Sequence, residues 1–482
     1  MTTGVSLRSL EVDLVIRELG NWRTANRTGP AYHGLADALR LLIIDGRLPV
    51  GARLPSERVL AEALRVSRTT VTAAYNQMRE DGYLVARRGA RSTVALPTAT
   101  GVPAAQPPAP ITGLAAAALA APASAVLTAY AEAAADVAPY LHGMGHELVG
   151  TAPLREAVAD RYCRRGLPTE PDEVMVTTGA LHAIGLILRA YIKPGDRVLV
   201  EQPTYHGALS AIAASGAAAV PVPMVDDGWD LEAMSAAVAQ LAPDLAYLIP
   251  DNHNPTGHTL AGADRNRMAR LIADSRTRTI VDETISDIWL DEPVPRPLAT
   301  ELSPHRRDLV LTVGSMSKSF WGGLRVGWIR AERSVIATLA AIRPTVDMGT
   351  AILEQLTAAK LLAMAEDVLP ERRQMLRARR EFLRRLLAER LPDWQPGSGA
   401  GGLSMWVRLP APMSTALSAA ASRIGLELPA GPRFGVDGTL ERFVRVPYAL
   451  PDDQLDEAVA LLATAWHNVT GAASPEPVTV VV

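Results

Sequence analysis

The feature that most constrains the fold is an alternation of short apolar runs with helical stretches, which begins near residue 140. Each run is four to six residues long and rich in β-forming residues, whereas the stretches between runs have apolar residues at helical spacing. Strands that alternate with helices form a mostly parallel sheet with crossover helices on its faces. The predicted strands cover residues 173–177, 197–201, 218–223, 245–250, 279–282 and 309–314.

Composition divides the 482-residue chain into units around this sheet. Residues 96–124 carry no charge and are rich in Pro, Ala and Thr, which is typical of an extended, mobile linker. A long helical region over about 349–390 ends the large domain. The expected units are a lead-in (1–30), a small N-terminal domain (31–95), the linker (96–124), a large α/β domain (125–392), a smaller α+β domain (393–470) and a tail (471–482).

Charge is distributed unevenly between these units. The first 95 residues contain fourteen Arg and no Lys against nine Asp and Glu, so their net charge is 14 − 9 = +5. Because the whole chain has a formal net charge of -3, the remainder totals about −8. A basic N-terminal domain on an acidic body indicates that nucleic acid binds at one end.

Several protein classes are disfavoured by the sequence. Cys163 is the only cysteine, so no intrachain disulfide can form. Glu11 and Asp13 interrupt the apolar residues near the N-terminus, which argues against a signal peptide. No uninterrupted apolar run reaches membrane-spanning length. We therefore expect a cytoplasmic protein without a membrane segment, and we assign no metal site.

The basic N-terminal domain shows the order helix, helix, turn, helix, wing. Apolar residues at helical spacing predict a helix over residues 31–45. Ser56 and Ser67 stand at N-cap positions, and each precedes a further predicted helix. Residues 83–94 then alternate as a short hairpin with Gly89 near its tip.

This order is that of a winged helix-turn-helix, whose second helix lies in the major groove of DNA. Arg68 stands at the start of that helix, where it could pair bidentately with guanine. Arginines near Gly89 would suit a narrow minor groove, and those at the start of the preceding helix would contact phosphates. The candidate DNA contacts are Arg53, Ser56, Arg58, Ser67, Arg68, Thr69, Thr70, Arg88, Gly89 and Arg91.

A close resemblance links this domain to the winged helix of the GntR superfamily. It is carried by residues 51–90, which read GARLPSERVLAEALRVSRTTVTAAYNQMREDGYLVARRGA. By this resemblance Arg58, Arg68, Thr70 and Gly89 occupy the family's main DNA-contact positions, and the partner is a double-stranded DNA operator. The pattern alone leaves a second interpretation open, a solvated arginine-rich helical hairpin that serves as a docking arm.

Lysine is scarce enough to be informative, because only Lys193, Lys318 and Lys360 occur among 48 Lys and Arg. A Schiff base with an aldehyde cofactor needs a primary amine, which arginine cannot supply. Lys318, in the sequence GSMSK, follows an apolar run, and its small neighbours would let a planar ring approach closely. Arg325 in GLRVG suits bidentate recognition of a phosphate, to which Ser315 offers a hydroxyl. The alternative for the lysine is an ordinary surface position.

Other polar residues follow the predicted strands. The turn after residue 178 opens a helix whose backbone N–H groups could bind phosphate. Tyr205 could stack on a pyridine ring, Asn254 in NPTG could donate to its phenolic oxygen, and Asp282 could keep its nitrogen protonated. Each also has an ordinary structural interpretation: a connecting turn, a core aromatic, an Asn-Pro turn or an N-cap. The candidate cofactor ligands are Gly179, Ala180, Leu181, Tyr205, Asn254, Asp282, Ser315 and Arg325.

Together these residues resemble the fold-type-I aminotransferase family over about residues 140–465. The resemblance implies pyridoxal 5'-phosphate as cofactor, Arg445 as the clamp for a ligand's carboxylate, and Tyr140 as a contact to the phosphate of the neighbouring subunit. One departure stands out, because the family usually has a tyrosine two or three residues after the ring aspartate. Here those positions hold Thr284 and Ile285. Loss of that phenol is expected to alter the pKa of the Schiff base and to weaken catalysis.

A GntR-type winged helix joined by a linker to an aminotransferase-like domain resembles the MocR subfamily. The resemblance implies a head-to-tail homodimer that reads paired half-sites. The favoured hypothesis is a transcription regulator that senses a small amine, an amino acid or pyridoxal phosphate itself. A second hypothesis is a working aminotransferase that carries a DNA-binding module. A third is a repressor whose large domain has lost its cofactor and binds another effector; fold alone does not decide among them.

Overall fold

The computed structural model describes residues 10–20, 22, 30–45, 47–85, 92–95, 112–226 and 228–471. The N-terminal domain has its own apolar core, which includes the fully buried Leu35, Leu39 and Leu54. Three helices and a short hairpin enclose this core in the predicted order, and a further helix from the expected lead-in packs into the same core through Val15 and Leu19. The elements are α1 (Val12–Leu19), α2 (Ala31–Ile44), α3 (Glu57–Leu64), α4 (Arg68–Glu80), β1 (Leu84–Val85) and β2 (Thr93–Val94).

The two helices around the turn begin at the predicted caps. Ser56 and Ser67 each accept a hydrogen bond from the backbone N–H three residues later, at 3.4 and 3.1 Å. The hydroxyl of the buried Tyr75 in α4 donates to the carbonyl of Pro55 at 3.0 Å. This bond fixes the second helix of the pair against the start of the first.

The wing is described only at its base. Leu84 pairs with Val94 across the antiparallel strands β1 and β2. The tip with Arg88, Gly89 and Arg91 lies outside the described residues, as do most of the lead-in, the first part of the linker and the last eleven residues of the tail.

The linker prediction is wrong for its C-terminal part. Thr112 and Gly113 form strand β3 (Thr112–Gly113), which pairs in parallel with Leu426 and Glu427 of the small C-terminal domain. Leu114 and the residues that follow it pack onto the same domain. Proline and alanine composition indicates an extended backbone, but it does not reveal whether a folded surface receives that backbone.

A mixed sheet of eight strands forms the centre of the large domain. Its strands are β4 (Val174–Thr177), β5 (Arg197–Gln202), β6 (Ala218–Val225), β7 (Gly228–Trp229), β8 (Leu245–Leu248), β9 (Arg278–Asp282), β10 (Val310–Ser315) and β11 (Gly327–Arg330). Their order is β4-β11-β10-β9-β8-β5-β6-β7. The strands from β10 to β6 run parallel, which confirms the predicted α/β class, whereas β11 and β7 are antiparallel to their neighbours.

Strand β11 was not predicted, because its residues were interpreted only as the end of a phosphate-binding motif. All four of its residues are buried, and it lies between β4 and β10, with Gly327 opposite Thr177 and Ser315. A four-residue strand that is buried on both faces shows no alternation of polar and apolar residues, so it leaves no periodic signal.

Helices cover both faces of this sheet. They are α5 (Ala123–Asp136), α6 (Ala152–Arg164), α7 (Ala180–Tyr191), α8 (His206–Ala214), α9 (Leu231–Leu241), α10 (Gly262–Ser275), α11 (Arg333–Ile342), α12 (Ile352–Ala363) and α13 (Ala365–Arg390). One apolar core joins the sheet to α7, α8 and α11, and the other joins it to α5, α6, α9, α10 and α12. The helical region predicted over 349–390 divides into α12 and α13 at Met364.

The small C-terminal domain is α+β, as predicted. It contains β12 (Gln395–Pro396), β13 (Ser404–Arg408), α14 (Ser414–Arg423), β14 (Leu426–Glu427), β15 (Phe443–Pro447) and α15 (Asp452–Gly471). Strands β12, β13 and β15 form an antiparallel sheet. Its core also takes apolar residues from α13, from the end of the linker and from the segment after β9, where Ile285, Ile288 and Leu290 lie, so distant parts of the chain assemble this core.

Ion pairs join the N-terminal domain to the small domain. Arg423 at the end of α14 lies 3.0 Å from Asp37 of α2. Arg433 lies 3.4 Å from Asp45, at the end of the same helix. No helix in the described part of the chain is long and apolar enough to cross a membrane.

Candidate functional site

The carboxyl ends of the parallel strands meet at one edge of the sheet, where they line two adjoining cavities of about 250 and 210 Å³. Tyr205, Asn254 and Lys318 line both cavities. Three positions that the sequence singled out separately therefore converge on one site.

Lys318 lies in a π-helical turn, Ser317–Trp321, immediately beyond β10. Its side chain is half-buried, and its Nζ donates to the carbonyl of Ala117 at 2.7 Å. Burial and the nearby charge of Arg445 lower the pKa of the ammonium group to about 8, although Asp282 opposes this shift. The group is therefore partly neutral near pH 8, as a nucleophilic amine must be.

Backbone and guanidinium groups line the end of the smaller cavity nearest β4. Ala180 and Leu181 begin α7 there, after Gly179. Glycine is required at 179 because its φ is +91° and because a β-carbon would lie 2.9 Å from the guanidinium of Arg325. Arg325 contacts two main-chain carbonyls at 3.3 and 3.4 Å and, among the described residues, forms no ion pair. This arrangement of N–H groups and a free cation suits a phosphate.

Two serines extend this anion-binding end. The Ser315 hydroxyl lies 3.1 Å from the Ser317 hydroxyl and accepts from the Ser317 backbone N–H at 3.1 Å. Both residues line the smaller cavity. Ser317 was not among the predicted residues, although the spacing of small residues before Lys318 contains it.

Asp282 ends β9 and is buried at the floor of the smaller cavity. Burial raises the pKa of its carboxyl group, and hydrogen bonds limit that increase. The Tyr247 hydroxyl donates to one oxygen at 2.7 Å, and the Thr284 backbone N–H donates to the other at 2.8 Å. Sequence reasoning missed Tyr247, whose side chain reaches Asp282 only because β8 and β9 pair with Tyr247 opposite Ile280.

Tyr205 and Asn254 form the wall between the two cavities. The Tyr205 ring lies over Gly207, where a β-carbon would approach the ring to 2.5 Å. The side-chain oxygen of Asn254 is buried and has no hydrogen-bond partner among the described residues. A buried carbonyl oxygen without a donor is costly, so this atom is available to a ligand.

Arg445 on β15 lines the larger cavity and is only 3% exposed. Its guanidinium carbon lies 4.9 Å from the ring centroid of Phe434, and its Nη2 donates to the carbonyl of Ala115. Its Nε has no partner. Burial and the charge of Arg433 lower its pKa to about 10. Because Arg445 is buried and pairs with no carboxylate among the described residues, it can bind an anionic group of a ligand.

His206 lines the larger cavity, and the sequence did not indicate it. Its ring lies edge-on to Phe434, at 5.7 Å and 86°, and its Nδ1 is buried without a partner. Burial, followed by the charges of Arg433 and Arg445, lowers its pKa to about 3. The imidazole is therefore neutral at pH 7. The one available signal was its position directly after Tyr205.

Tyr140 lines neither cavity of its own chain. It lies on the 3-10 turn Ala138–His142, next to two strongly exposed apolar side chains, Leu141 (71%) and Met144 (86%). The structure therefore does not join Tyr140 to the other candidates within one chain.

The candidate DNA interface lies on the N-terminal domain. Arg53, Arg58 and Arg68 are exposed, as a phosphate or base contact requires. Ser67 and Thr69 are also exposed and lie at the start of α4, with their hydroxyls 2.7 Å apart. The remaining hydroxyl-bearing candidates have local partners: Ser56 caps α3, and the hydroxyl of Thr70 lies 2.7 Å from that of Ser67.

Pyridoxal phosphate fits the residues of the two cavities. The unpartnered Asn254 oxygen and Arg445 Nε are polar atoms that a ligand could satisfy. Gly179 leaves room beside Arg325 that any larger residue would fill. The smaller cavity is thus bordered by the amine of Lys318, by Arg325, which has no acidic partner among the described residues, and by the buried carboxylate of Asp282.

Sequence comparisons match both parts of the chain to known families. Residues 110–462 match "Aminotransferase class I and II", and residues 31–94 match "Bacterial regulatory proteins, gntR family". The HTH-type transcriptional regulator YdcR of Escherichia coli is 30% identical over 86% of this chain and 94% of its own. The probable rhizopine catabolism regulatory protein MocR of Rhizobium meliloti is 28% identical over 62% of this chain and 65% of its own.

A solved structure with the same fold is that of LysN, an α-aminoadipate aminotransferase from Thermus thermophilus, complexed with N-(5'-phosphopyridoxyl)-L-leucine. It has a TM-score of 0.67 and 26% identity, and it covers 75% of this chain and 93% of its own. With the match over residues 110–462, this places the large and small domains among fold-type-I aminotransferases. The chain thus belongs to the aminotransferase class I and II family and carries a gntR-family DNA-binding domain at its N-terminus, the architecture of the MocR-type regulators.

Proposed function

We propose that the protein is a transcription regulator that holds pyridoxal phosphate at Lys318 and senses a small amine or amino acid, or the cofactor itself. Residues 31–95 bind an operator, and residues 125–470, together with the end of the linker, bind the cofactor and the effector. The observation that carries the proposal is the convergence of Lys318, Arg325, Asp282 and Arg445 around joined cavities in a chain that also exposes arginines at a helix-turn-helix.

Each residue of the site has a distinct role in this proposal. Bound pyridoxal phosphate supplies an aldehyde that reacts with amines and a ring that withdraws electrons. Lys318 provides the amine that attaches it, and Asp282 holds a proton on the ring nitrogen. Tyr205 stacks on the ring, and Asn254 donates to its phenolic oxygen. The phosphate is held by Gly179, Ala180, Leu181, Ser315 and Arg325.

Arg445 binds the carboxylate of the effector in the larger cavity. It suits this task because its fork matches a carboxylate and because burial already separates it from water. The neutral His206 offers a hydrogen bond to a polar group of the effector without adding charge. An effector that carries both an amine and a carboxylate uses both cavities.

The active form is a head-to-tail homodimer. The exposed Leu141 and Met144 give an apolar surface beside Tyr140, which a second copy would cover, and Tyr140 would then reach that copy's phosphate. Two winged helices would meet paired half-sites, with Arg88, Gly89 and Arg91 contacting DNA from each wing. A cytoplasmic location follows from a DNA target.

A second candidate function is a working aminotransferase with an attached DNA-binding domain. It is favoured by one observation, that Lys318, Asp282 and Arg445 all remain in place around the joined cavities. The 2-aminoadipate transaminase of Thermus thermophilus is 28% identical over 66% of this chain. Repeated turnover with any of the twenty amino acids and an oxo-acid acceptor would favour the enzyme, whereas a single conversion of the bound cofactor would favour the sensor.

The test of the proposed function has two arms on the full-length protein. The purified protein mixed with pyridoxal phosphate should show an absorbance band that is absent from the Lys318→Ala variant. Footprinting on the DNA upstream of its own gene, with and without the cofactor, should reveal two protected half-sites. A protein that stays colourless and prefers no promoter sequence over bulk DNA would overturn the proposal.

A further inference from the structure

The last part of the linker closes one side of the ligand cavity. We name residues 113–119 the strap. Both ends of the strap are anchored in the small domain, where Leu114 and Leu119 are 0% and 5% exposed. The backbone N–H of Leu114 donates to the carbonyl of Glu427 at 2.8 Å. Just beyond the other end, Arg372 donates to the carbonyl of Ala120 at 3.0 Å.

Between these anchors lie four alanines, and all four line the larger cavity. Two of their carbonyls are hydrogen-bonded by the cations of the site. Arg445 donates to the carbonyl of Ala115, and Lys318 donates to the carbonyl of Ala117 at 2.7 Å. Because alanine offers only a methyl group, the strap interacts with these cations through its backbone alone.

A neutral carbonyl is a weak partner for a buried guanidinium. Arg445 keeps its Nε without a partner while the strap is in place. A carboxylate would offer two charged oxygens to the same fork, and charge-assisted bidentate pairs are about twice as strong as neutral hydrogen bonds. A carboxylate would therefore bind Arg445 more strongly than the Ala115 carbonyl does.

We propose that the strap is a wall of the ligand site and that it competes with the ligand for Arg445. A carboxylate that binds this arginine takes the place of the Ala115 carbonyl and displaces the strap between its anchors. The proposal rests on the proposed function in one respect, since it takes the ligand to be an amine with a carboxylate. It also makes the four alanine methyls a limit on the size of the ligand's side chain.

The strap has a physical connection to the DNA-binding domain. It begins in β3, which pairs with β14, and β14 directly follows α14. Helix α14 in turn packs against α2 of the winged helix, where Arg423 pairs with Asp37 at 3.0 Å. The α14–β14 unit therefore supports both the strap and the DNA-binding domain. By reciprocity, any DNA that shifts this unit must change ligand affinity by the same factor as ligand changes DNA affinity.

Thiol labelling tests the strap directly, because the chain has a single cysteine. In the full-length, cofactor-loaded protein with Cys163→Ser, we would place the thiol by Ala115→Cys and measure its rate of reaction with a maleimide. The control thiol is Ala120→Cys, which is exposed, lies on the same segment and lines neither cavity. The probes are the twenty L-amino acids and γ-aminobutyrate, each also followed by the absorbance of the bound cofactor.

Adding Arg445→Met to the Ala115→Cys protein should raise its labelling rate roughly tenfold without any ligand. Loss of one hydrogen bond to a charged group shifts an equilibrium by about this factor. Arg442→Met, the same substitution at an exposed arginine of the same domain, should leave the rate unchanged. Any amino acid that changes the absorbance should raise the rate similarly, and Ala120→Cys should respond to none of these changes.

The outcomes separate the two proposals. An unchanged rate in Arg445→Met overturns the strap proposal, as does an amino acid that alters the absorbance without altering the labelling. Absence of any cofactor band overturns the proposed function instead. If no amino acid alters the absorbance, amino-acid sensing is rejected, and the rate in Arg445→Met still decides whether Arg445 holds the strap.

Discussion

The winged helix and the aminotransferase-like domain use cationic side chains in opposite environments. In the winged helix, Arg53, Arg58 and Arg68 are exposed. In the other domain, Arg445 is 3% exposed and Lys318 is half-buried. The pKa values of these two groups fall to about 10 and about 8, mainly because burial disfavours their charged forms.

The difference shows how arginine can bind either DNA or a small anionic ligand, depending on whether it is exposed or buried. An exposed arginine attracts DNA phosphates over a distance at little desolvation cost, so many weak contacts add up and depend on salt. A buried cation has already lost its water, so it binds one anion strongly and selectively. Recognition by exposed arginines therefore tolerates substitutions nearby. Recognition by a buried cation depends on the exact position of its hydrogen-bonding atoms.

The largest expected effect is the loss of cofactor binding when Lys318 in the aminotransferase-like domain is replaced. Lys318→Ala should abolish the cofactor absorbance band, because no other amine lines the cavities in the described residues. Its thermal stability should not fall, since the substitution removes a partly buried charge. Lys360→Ala, which removes a lysine paired with Asp136 on the surface, is the matched control and should keep the band. A band that persists in Lys318→Ala would break the assignment.

Arg68→Ala should weaken binding to the specific operator by about tenfold to a hundredfold, the value of a bidentate base contact. Arg53→Ala should weaken specific and bulk DNA binding alike and reduce the salt slope by about 1, as a phosphate contact does. Mobility-shift titrations at several salt concentrations would measure both effects. Arg267→Ala, on the surface of the large domain, is the control. Equal losses on all DNA sequences for Arg68→Ala would show that it reads no base.

Arg445→Met should reduce affinity for the effector by about tenfold to a hundredfold, because one charge-assisted contact is lost. The free protein should lose at most the stability of the one hydrogen bond to Ala115, because the same substitution replaces a buried charge without an acid by an apolar chain. Absorbance titration would measure the affinity for the effector, and thermal unfolding would measure the stability. A loss of stability above about 3 kcal/mol, more than one hydrogen bond to a charged group contributes, would contradict the view that this cation awaits an anion.

The pH dependence of cofactor uptake should report the lowered pKa of Lys318. Only the neutral amine is nucleophilic, so the association rate should rise with pH and level off above about 8, where an ordinary lysine with a pKa near 10.5 would still be protonated. The positive charge of Arg445 lowers this pKa, so Arg445→Met should move the midpoint to higher pH. Stopped-flow absorbance across the pH range would measure it. A midpoint that stays fixed would exclude coupling between the two cations.

The smallest expected effect concerns Tyr247. Tyr247→Phe removes the 2.7 Å hydrogen bond to Asp282 and should lower the free energy of unfolding by about 1 kcal/mol. It also leaves the carboxylate with one donor fewer, so the pH titration of the cofactor band should shift while DNA binding stays the same. Tyr191→Phe, at a half-buried tyrosine at the C-terminal end of α7 that lines neither cavity, provides the control. An unshifted titration would make Tyr247 purely structural.

Local sequence signals predicted most of the secondary structure. Ser56 and Ser67 began their helices as expected, because an N-cap is decided by a few neighbouring atoms. Six strands were located from their apolar runs. The failures include the two-residue β7, the strand β11, which has no periodic pattern, and the linker end, where β3 forms only because β14 lies beside it. Strand β11 and the linker end both depend on partners far away in the chain.

The site shows the same division. Lys318, Asp282 and Arg445 were chosen for their chemistry and their motifs, and the fold brings them around the same joined cavities. Tyr247, Ser317, His206 and the strap alanines were missed. Nothing in the immediate neighbours of these residues distinguishes a side chain that borders a ligand from one that fills a core.

By itself, the sequence determined the order of helices and strands, the two-part architecture and the few residues whose chemistry has no substitute. Those properties follow from periodicity, capping and functional groups, all of which act over a few residues. The tertiary structure alone decided that Tyr247 supports Asp282, that Arg445 is buried, and that the linker's backbone carbonyls meet the two cations of the site. Hydrogen-bond partners come from segments up to 386 positions apart, and only the packed chain brings those segments together.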